Sequence, residues 1–311
     1  MITPAQREAT DVTTFEVRIN SHSEKAYNNG LCQVELLLTL VGTDLLSREE
    51  LDSIRLVDEY TRQEIPVVDS SQPVPEGTWG MSTEKNAYDF HPPTGDAATS
   101  ALEPQKQYYT CYVQTADVAN RKKSIGARIT LTSNDREVHS MDRSGSLGAV
   151  EVTPVPSPIP KDSAWDSDWG DMVEHEVTYG VIRKIYWLGL MFAGERHSIV
   201  SMNVVAGKPA SGFRWVSPGS DQGGFFGFAP PGATTFTYSN VEWTGAYRPM
   251  SNDWNKTGRA TVAFVRNIGL GPYQGAASAS TQYELRSQYG TLYRVTIEVD
   301  TTCQELVLIP H

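Results

Sequence analysis

Apolar and polar residues alternate through much of the N-terminal half of the chain. Residues 15–19, 31–41, 107–114 and 125–133 each place apolar side chains at every second position. Successive side chains of a strand point to opposite faces, so this period predicts strands with one buried face. Strands of this kind are typical of antiparallel sheets that pack one face on a core.

The C-terminal half predicts further strands, separated by short turns that contain glycine. A helix is predicted only at Ser47–Glu50, where Ser-Arg-Glu-Glu has the form of a capping box. The strand-like segment 54–57 follows closely and limits that helix to a few residues. We therefore predict an all-β protein. The strand-like segments of the second half are 177–192, 197–206, 258–268, 289–300 and 304–309.

A proline-rich segment marks the predicted domain boundary. Residues 154–160 (PVPSPIP) carry proline at every second position. Proline lacks the amide donor that a central strand needs, so we expect an extended spacer outside any sheet. We predict an N-terminal antiparallel β-sandwich over 1–153, a proline-rich and acidic linker over 154–171, and a C-terminal aromatic-rich β domain over 172–311, itself a sandwich or a flattened barrel.

Tyr109-Thr110-Cys111 has the Tyr-x-Cys spacing of strand F in immunoglobulin domains. Cys32 lies upstream on a strand-like segment, where strand B would lie. In these positions the N-terminal half resembles an immunoglobulin-like sandwich. No tryptophan follows Cys32 at the short distance found in the family, and no secretory signal precedes it. We therefore expect no disulfide between Cys32 and Cys111.

Charge is unevenly distributed along the chain, whose net charge is −11. Residues 1–155 carry 14 basic and 23 acidic side chains, which gives −9, whereas residues 177–311 carry 11 basic and 8 acidic ones, which gives +3. The acidic half repels phosphate backbones, and the other half has no cluster of Lys and Arg. Nucleic-acid binding is therefore not expected.

The N-terminal residues lack the basic and apolar regions of a signal peptide. No apolar run approaches the ~18 residues that a membrane-spanning helix needs. We expect synthesis in the cytosol and, if the protein leaves the cell, export by a route that needs no signal peptide.

Residues 212–254 combine many aromatic side chains with glycine and proline. Some of these aromatic residues occupy alternate positions, as in strands that contribute side chains to a core. The others are predicted to contact a ligand, because loop aromatics concentrate binding energy. Segment Gly223–Gly232 holds three Phe without a charge and is predicted to be a loop. We favour a loop covered by its own domain; if it is not covered, it is the surface that contacts a ligand or a membrane. The candidate contact residues are Trp215, Phe225, Phe226, Phe228, Trp243, Tyr247 and Trp254.

Asp166, Asp168 and Asp171 form a weak calcium candidate, because clustered carboxylates suit Ca²⁺. Gly170 comes one place too early for the EF-hand spacing, so we favour a solvated acidic linker. We expect no metal.

No catalytic or cofactor motif appears: G-x-S-x-G and H-E-x-x-H are missing, and the six histidines are scattered. We expect a non-catalytic recognition or structural protein whose aromatic loops bind a cell-surface glycan or a protein partner, without a cofactor. Two alternatives stay open. One is a β-rich toxin component that associates with membranes through Gly223–Gly232, and the other is an enzyme whose site is assembled across the fold. The sequence carries no signal for an oligomeric state.

Overall fold

The chain is all-β, as the period-two pattern predicted, and divides into two compact units, Met1–Ser157 and Pro158–His311. Each unit is a stack of sheets around its own core. The computed structural model describes residues 11–93, 103, 106–158, 172–177, 181–192, 195–206, 211–217, 220–235, 255–268, 280–299 and 305–311.

In the N-terminal unit, strands β1, β3, β6 and β5 form an antiparallel sheet in that order. A second sheet has the order β2-β9-β7-β4, and β8 also pairs with β7. The strands are β1 (Val12–Ile19), β2 (Lys25–Tyr27), β3 (Gln33–Gly42), β4 (Arg55–Asp58), β5 (Trp79–Ser82), β6 (Gln107–Thr115), β7 (Lys123–Leu131), β8 (Arg136–His139) and β9 (Ala149–Val155), with helices α1 (Arg48–Asp52) and α2 (Ser140–Arg143) and a 3-10 turn at Gly145–Leu147.

Both sheets contribute to one core, which makes this unit a sandwich. Leu36 and Leu38 of β3 and Ile125 and Ile129 of β7 are completely buried in the same cluster. These are positions that the alternation assigned to the inner face. Full burial of each such side chain stabilises the fold by about 1.5–3 kcal/mol.

The predicted capping box begins helix α1. The Ser47 hydroxyl accepts a hydrogen bond from the Glu50 amide at 3.2 Å, and the Ser47 amide donates to Glu50 Oε2 at 2.7 Å. The other Glu50 oxygen accepts from the amide and hydroxyl of Thr132, at 3.0 and 3.1 Å. Glu50 therefore both caps the helix and ties it to the residue that follows β7.

Cys32 and Cys111 are both free and buried. Cys111 lies on β6 opposite Leu36 of the neighbouring strand β3. Strands B and F of immunoglobulin domains lie in opposite sheets and face each other across the core. The strands β3 and β6, which lie near these cysteines, are neighbours in one sheet, so they do not face each other across the core as strands B and F do.

The prediction that the whole proline-rich segment lies outside any sheet is wrong at its first two residues. Pro154 and Val155 end β9 and pair in parallel with Ala26 and Tyr27 of β2. Proline is tolerated there because the pairing with β7 ends at Val152. Proline lacks an amide donor but keeps its carbonyl, and the Pro154 carbonyl accepts a hydrogen bond from the Asn120 amide at 2.7 Å.

The C-terminal unit contains sheets of order β10-β11-β17-β16-β15 and β14-β18-β19-β20, with a separate β12–β13 hairpin. The two larger sheets share a core in a sandwich arrangement. The Phe228 and Tyr283 rings, one from each sheet, meet edge to face at 5.0 Å. The strands are β10 (Met172–Val177), β11 (Val181–Leu188), β12 (Leu190–Phe192), β13 (Glu195–His197), β14 (Ile199–Ala206), β15 (Ser211–Ser217), β16 (Ser220–Ala229), β17 (Ala260–Ile268), β18 (Ser280–Ser287), β19 (Leu292–Val299) and β20 (Leu306–Pro310).

Candidate functional site

The segment predicted to be an apolar loop is mostly a strand. Residues 223–229 belong to β16, which pairs with β15 on one side and β17 on the other. Phe226 is completely buried and Phe228 is 6% exposed. The loop interpretation is therefore wrong for these residues, and neither ring is available to a ligand or a membrane. Phe226 and Phe228 follow the period-two pattern of a strand, but the neighbouring glycines indicated a loop.

The remaining aromatic candidates stay predictions. Trp215 lies on β15 and Phe225 lies on β16. Trp243, Tyr247 and Trp254 lie outside the described residues, as do the calcium candidates Asp166, Asp168 and Asp171.

Further apolar side chains of the five-stranded sheet form a second buried cluster, separate from the main core. Ile185, Trp187, Ala229 and Ala263 are all buried in it. The Lys256 ammonium lies 3.6 Å from the centre of the Trp187 ring, within the range of a cation–π contact. Burial on both faces explains why the last four residues of β11, 185–188, are all apolar or aromatic.

The N-terminal unit has a surface pocket of about 560 Å³, within the range of ligand sites. We call it the Asn28–Asp117 pocket. It is formed by the turn after β2, the turn before β5 and the turn after β6. Its lining combines carboxylates, carboxamides and aliphatic groups. The lining residues are Asn28, Asn29, Val74, Glu76, Gly77, Ala116, Asp117 and Val118.

Backbone hydrogen bonds tie the three turns together. The Gly30 amide donates to the Thr115 carbonyl at 3.0 Å, and the Gly30 carbonyl accepts from the Val74 amide at 3.1 Å. The Gly77 amide donates to the Ala116 carbonyl at 2.9 Å. The pocket is therefore fixed by the same kind of contacts that hold the sheets, which favours a site formed before a ligand arrives.

Asp117 is the most constrained polar side chain of the pocket. Its Oδ2 accepts from the Trp79 indole at 2.8 Å, and its Oδ1 accepts from the Val118 amide at 2.8 Å. The Arg121 guanidinium lies 3.4 Å from the same Oδ1. Burial by itself would raise the pKa of Asp117, but these hydrogen bonds and the charges of Arg121 and Lys123 outweigh it and lower the pKa. Asp117 is therefore ionised at neutral pH.

Neighbouring asparagines are held in place as well. Asn29 Oδ1 accepts from the amides of Leu31 and Cys32, at 2.9 and 2.8 Å. Asn28 Oδ1 accepts from the Ser157 amide at 3.1 Å, and its Nδ2 lies 3.4 Å from the Asp117 carbonyl. These bonds fix the carboxamides as rigid walls rather than as freely rotating groups.

The two described thiols are poor nucleophiles. Burial raises the pKa of Cys32 to about 12, and complete burial raises the pKa of Cys111 further. A thiol attacks as the thiolate, so both groups are inert at neutral pH.

Ser23 and His91 are the described pair that most resembles a serine–histidine dyad, but their geometry does not support catalysis. His91 Nδ1 lies 3.3 Å from Ser23 Oγ and only 2.8 Å from the Pro92 carbonyl oxygen. A carbonyl only accepts, so the shorter contact places the proton on Nδ1. Nδ1 then cannot take a proton from Ser23, as a general base must.

Within the described residues, no group of three or more His, Cys, Asp or Glu side chains is arranged to hold a metal ion. The same part of the chain contains no helix that is long and apolar enough to cross a bilayer.

Comparison with protein-family models finds no matching family, and comparison with curated proteins finds no matching relative. Function must therefore be argued from the site itself.

Proposed function

We propose that this chain is a non-catalytic recognition protein whose β-sandwich units bind a protein partner or a cell-surface glycan. The Asn28–Asp117 pocket carries the proposal. It has the volume of a ligand site, its three turns are joined by backbone hydrogen bonds, and its polar side chains are held in fixed positions.

The chemistry of the described side chains supports binding over turnover. The Cys32 and Cys111 thiols are protonated and buried, and His91 donates its Nδ1 proton to a backbone carbonyl. Asp117 is ionised, but Trp79 and Val118 already occupy its two oxygens. Each of these groups has a structural role that proton or acyl transfer would disrupt.

Membrane association, the alternative role of Gly223–Gly232, gains no support. It requires Phe rings that can leave the protein, and Phe226 and Phe228 pack in the core of the C-terminal unit. Removing these rings from the core would cost about 3–5 kcal/mol each, as truncation of buried Phe does.

The test is binding of the labelled intact chain to one array that carries glycans and peptides. We expect saturable binding to one of the two classes. Two sets of variants then locate the surface: Gly77→Asn in the pocket, and Trp215→Ala, Trp243→Ala and Trp254→Ala among the aromatic candidates. A variant counts only if its melting temperature is unchanged. Turnover of a substrate that is abolished by a single His or Glu substitution would contradict the proposal.

A further inference from the structure

We propose that the Asn28–Asp117 pocket binds the alkylammonium group of a lysine side chain presented by a partner protein. The inference rests on the proposed recognition function and specifies the chemical group that is recognised.

The polar side chains that line the pocket favour a cation. Glu76 and Asp117 supply two negative charges, and none of the described lining residues is Lys, Arg or His. Glu76 is exposed, so its carboxylate can turn towards an incoming group. An ammonium group carries three donors and no acceptor, so it can donate to the Glu76 carboxylate. The Asp117 oxygens already accept from Trp79 and Val118, so Asp117 contributes its negative charge.

The remaining walls are aliphatic and suit the stem of a lysine. Val74 and Ala116 lie in the pocket, and Val118 is 63% exposed at its rim. A lysine can pack its methylene groups along such a surface while its charged end reaches the carboxylates. None of the lining residues that the structure describes is aromatic, so these residues offer no flat ring on which a sugar could stack.

Arg121 shows that a cation can reach Asp117 from the solvent. Its guanidinium lies 3.4 Å from Asp117 Oδ1, although the side chain itself is 71% exposed. The Asp117 side chain is only 8% exposed, so Arg121 approaches it from the solvent side. Arg121 and a ligand ammonium compete for the same negative charge, so loss of the Arg121 charge should strengthen binding.

The negative net charge of the whole N-terminal unit also favours a cationic ligand. With 14 basic and 23 acidic side chains over residues 1–155, the unit attracts basic partners over a distance. Complementary charge of this kind raises association rates and weakens as salt is added.

The experiment is titration of the isotope-labelled intact chain by NMR with Nα-acetyl-lysine methylamide. The matched probe is the same compound acetylated on Nε, which keeps the stem and removes the charge. We expect saturable shifts of the Asn28, Gly77 and Val118 amides with the charged probe and none with the neutral one. High salt should reduce the shifts at a given probe concentration.

Three variants make the test specific. Glu76→Gln should weaken binding by about two- to fivefold, the effect of one exposed ion pair. Gly77→Asn should abolish binding, because it adds a side chain to a lining residue. A Cβ at Gly77 meets no atom within 4 Å, and asparagine is one of the few non-glycine residues found at a φ near +75°, although with some strain. Glu84→Gln is the matched control, because Glu84 is exposed and is not a lining residue.

Equal shifts with both probes, or shifts that survive Gly77→Asn, would overturn the lysine assignment. So would glycan binding on the array without any shift of the pocket amides, and in that case the recognition function itself would stand. Failure of every array ligand and of the probe would remove both proposals.

Discussion

A few buried polar side chains decide the local geometry of the N-terminal unit. Asp117 joins the Trp79 indole to the turn that lines the pocket, and Glu50 joins helix α1 to Thr132. The Trp79 indole is a buried donor, and the Asp117 carboxylate satisfies it. The composition of the chain gives no hint of these roles, because each depends on a partner more than 35 residues away.

Asp117→Asn should destabilise the N-terminal unit by about 1–3 kcal/mol at neutral pH. The substitution replaces one carboxylate oxygen by an NH2 group. This group cannot accept the hydrogen bond that the Trp79 indole or the Val118 amide donates. Urea unfolding at pH 7 measures the change. The exposed Asp44→Asn is the control and should have almost no effect.

The same substitution should also change the acid sensitivity of the unit. The pKa of Asp117 is lowered in the folded state, so its stabilising contribution is present above its unfolded pKa, about 3.9, and is lost as pH falls through the folded value. Wild type should therefore lose stability more steeply below about pH 4 than Asp117→Asn does. Parallel pH profiles of the two proteins would contradict the assignment.

Cys32 and Cys111 should be unreactive in the folded protein. Burial raises both thiol pKa values, so neither the thiolate nor an access path is available to a disulfide reagent. A Cys303→Ser variant leaves these two thiols alone to be counted. We expect no rapid reaction in buffer and two reactive thiols in denaturant, and fast reaction of either thiol in buffer would disprove their burial.

At the scale of elements, strands of eight or more residues were predictable where apolar positions alternate. β1, β3, β6 and β7 lie where the pattern places them. β2, β5 and β8 have three or four residues, too few for a period to emerge.

Strand β16 was mistaken for a loop for a different reason. Glycine is rare in strands, and the segment contains Gly223, Gly224 and Gly227. Pairing on both sides outweighs that preference, and Phe226 and Phe228 supply the buried face.

Phe228→Ala should therefore behave as a core substitution. It removes a ring that meets Tyr283 across the sandwich, and we expect a loss of about 3–5 kcal/mol from the C-terminal unit. Chemical denaturation measures the loss. An unchanged stability combined with weaker binding to liposomes would restore the loop interpretation.

At the scale of the molecule, the sequence predicted two β-rich units but not the pocket. The pocket combines residues 28–29, 74–77 and 116–118, which long-range backbone bonds such as Gly30 to Thr115 bring together. No local sequence pattern predicts that these three turns lie together. The aromatic segment is visible in the sequence because its residues lie close together along the chain. The residues of the pocket are far apart along the chain and form no such pattern.

Each unit has its own core, so we expect two unfolding transitions. Leu36→Ala should lower one transition temperature and Phe228→Ala the other, because each side chain is buried in a different cluster. Differential scanning calorimetry of the two variants and wild type separates them. A single transition that both variants shift equally would show one cooperative unit instead.

Saturation binding of the intact chain to the glycan and peptide array, compared between wild type and Gly77→Asn, tests the central claim most directly. We predict a saturable signal for wild type in one ligand class and its loss in Gly77→Asn at an unchanged melting temperature. A variant that binds as tightly as wild type would contradict the role of the pocket. A wild-type chain that binds neither class would contradict recognition as the function.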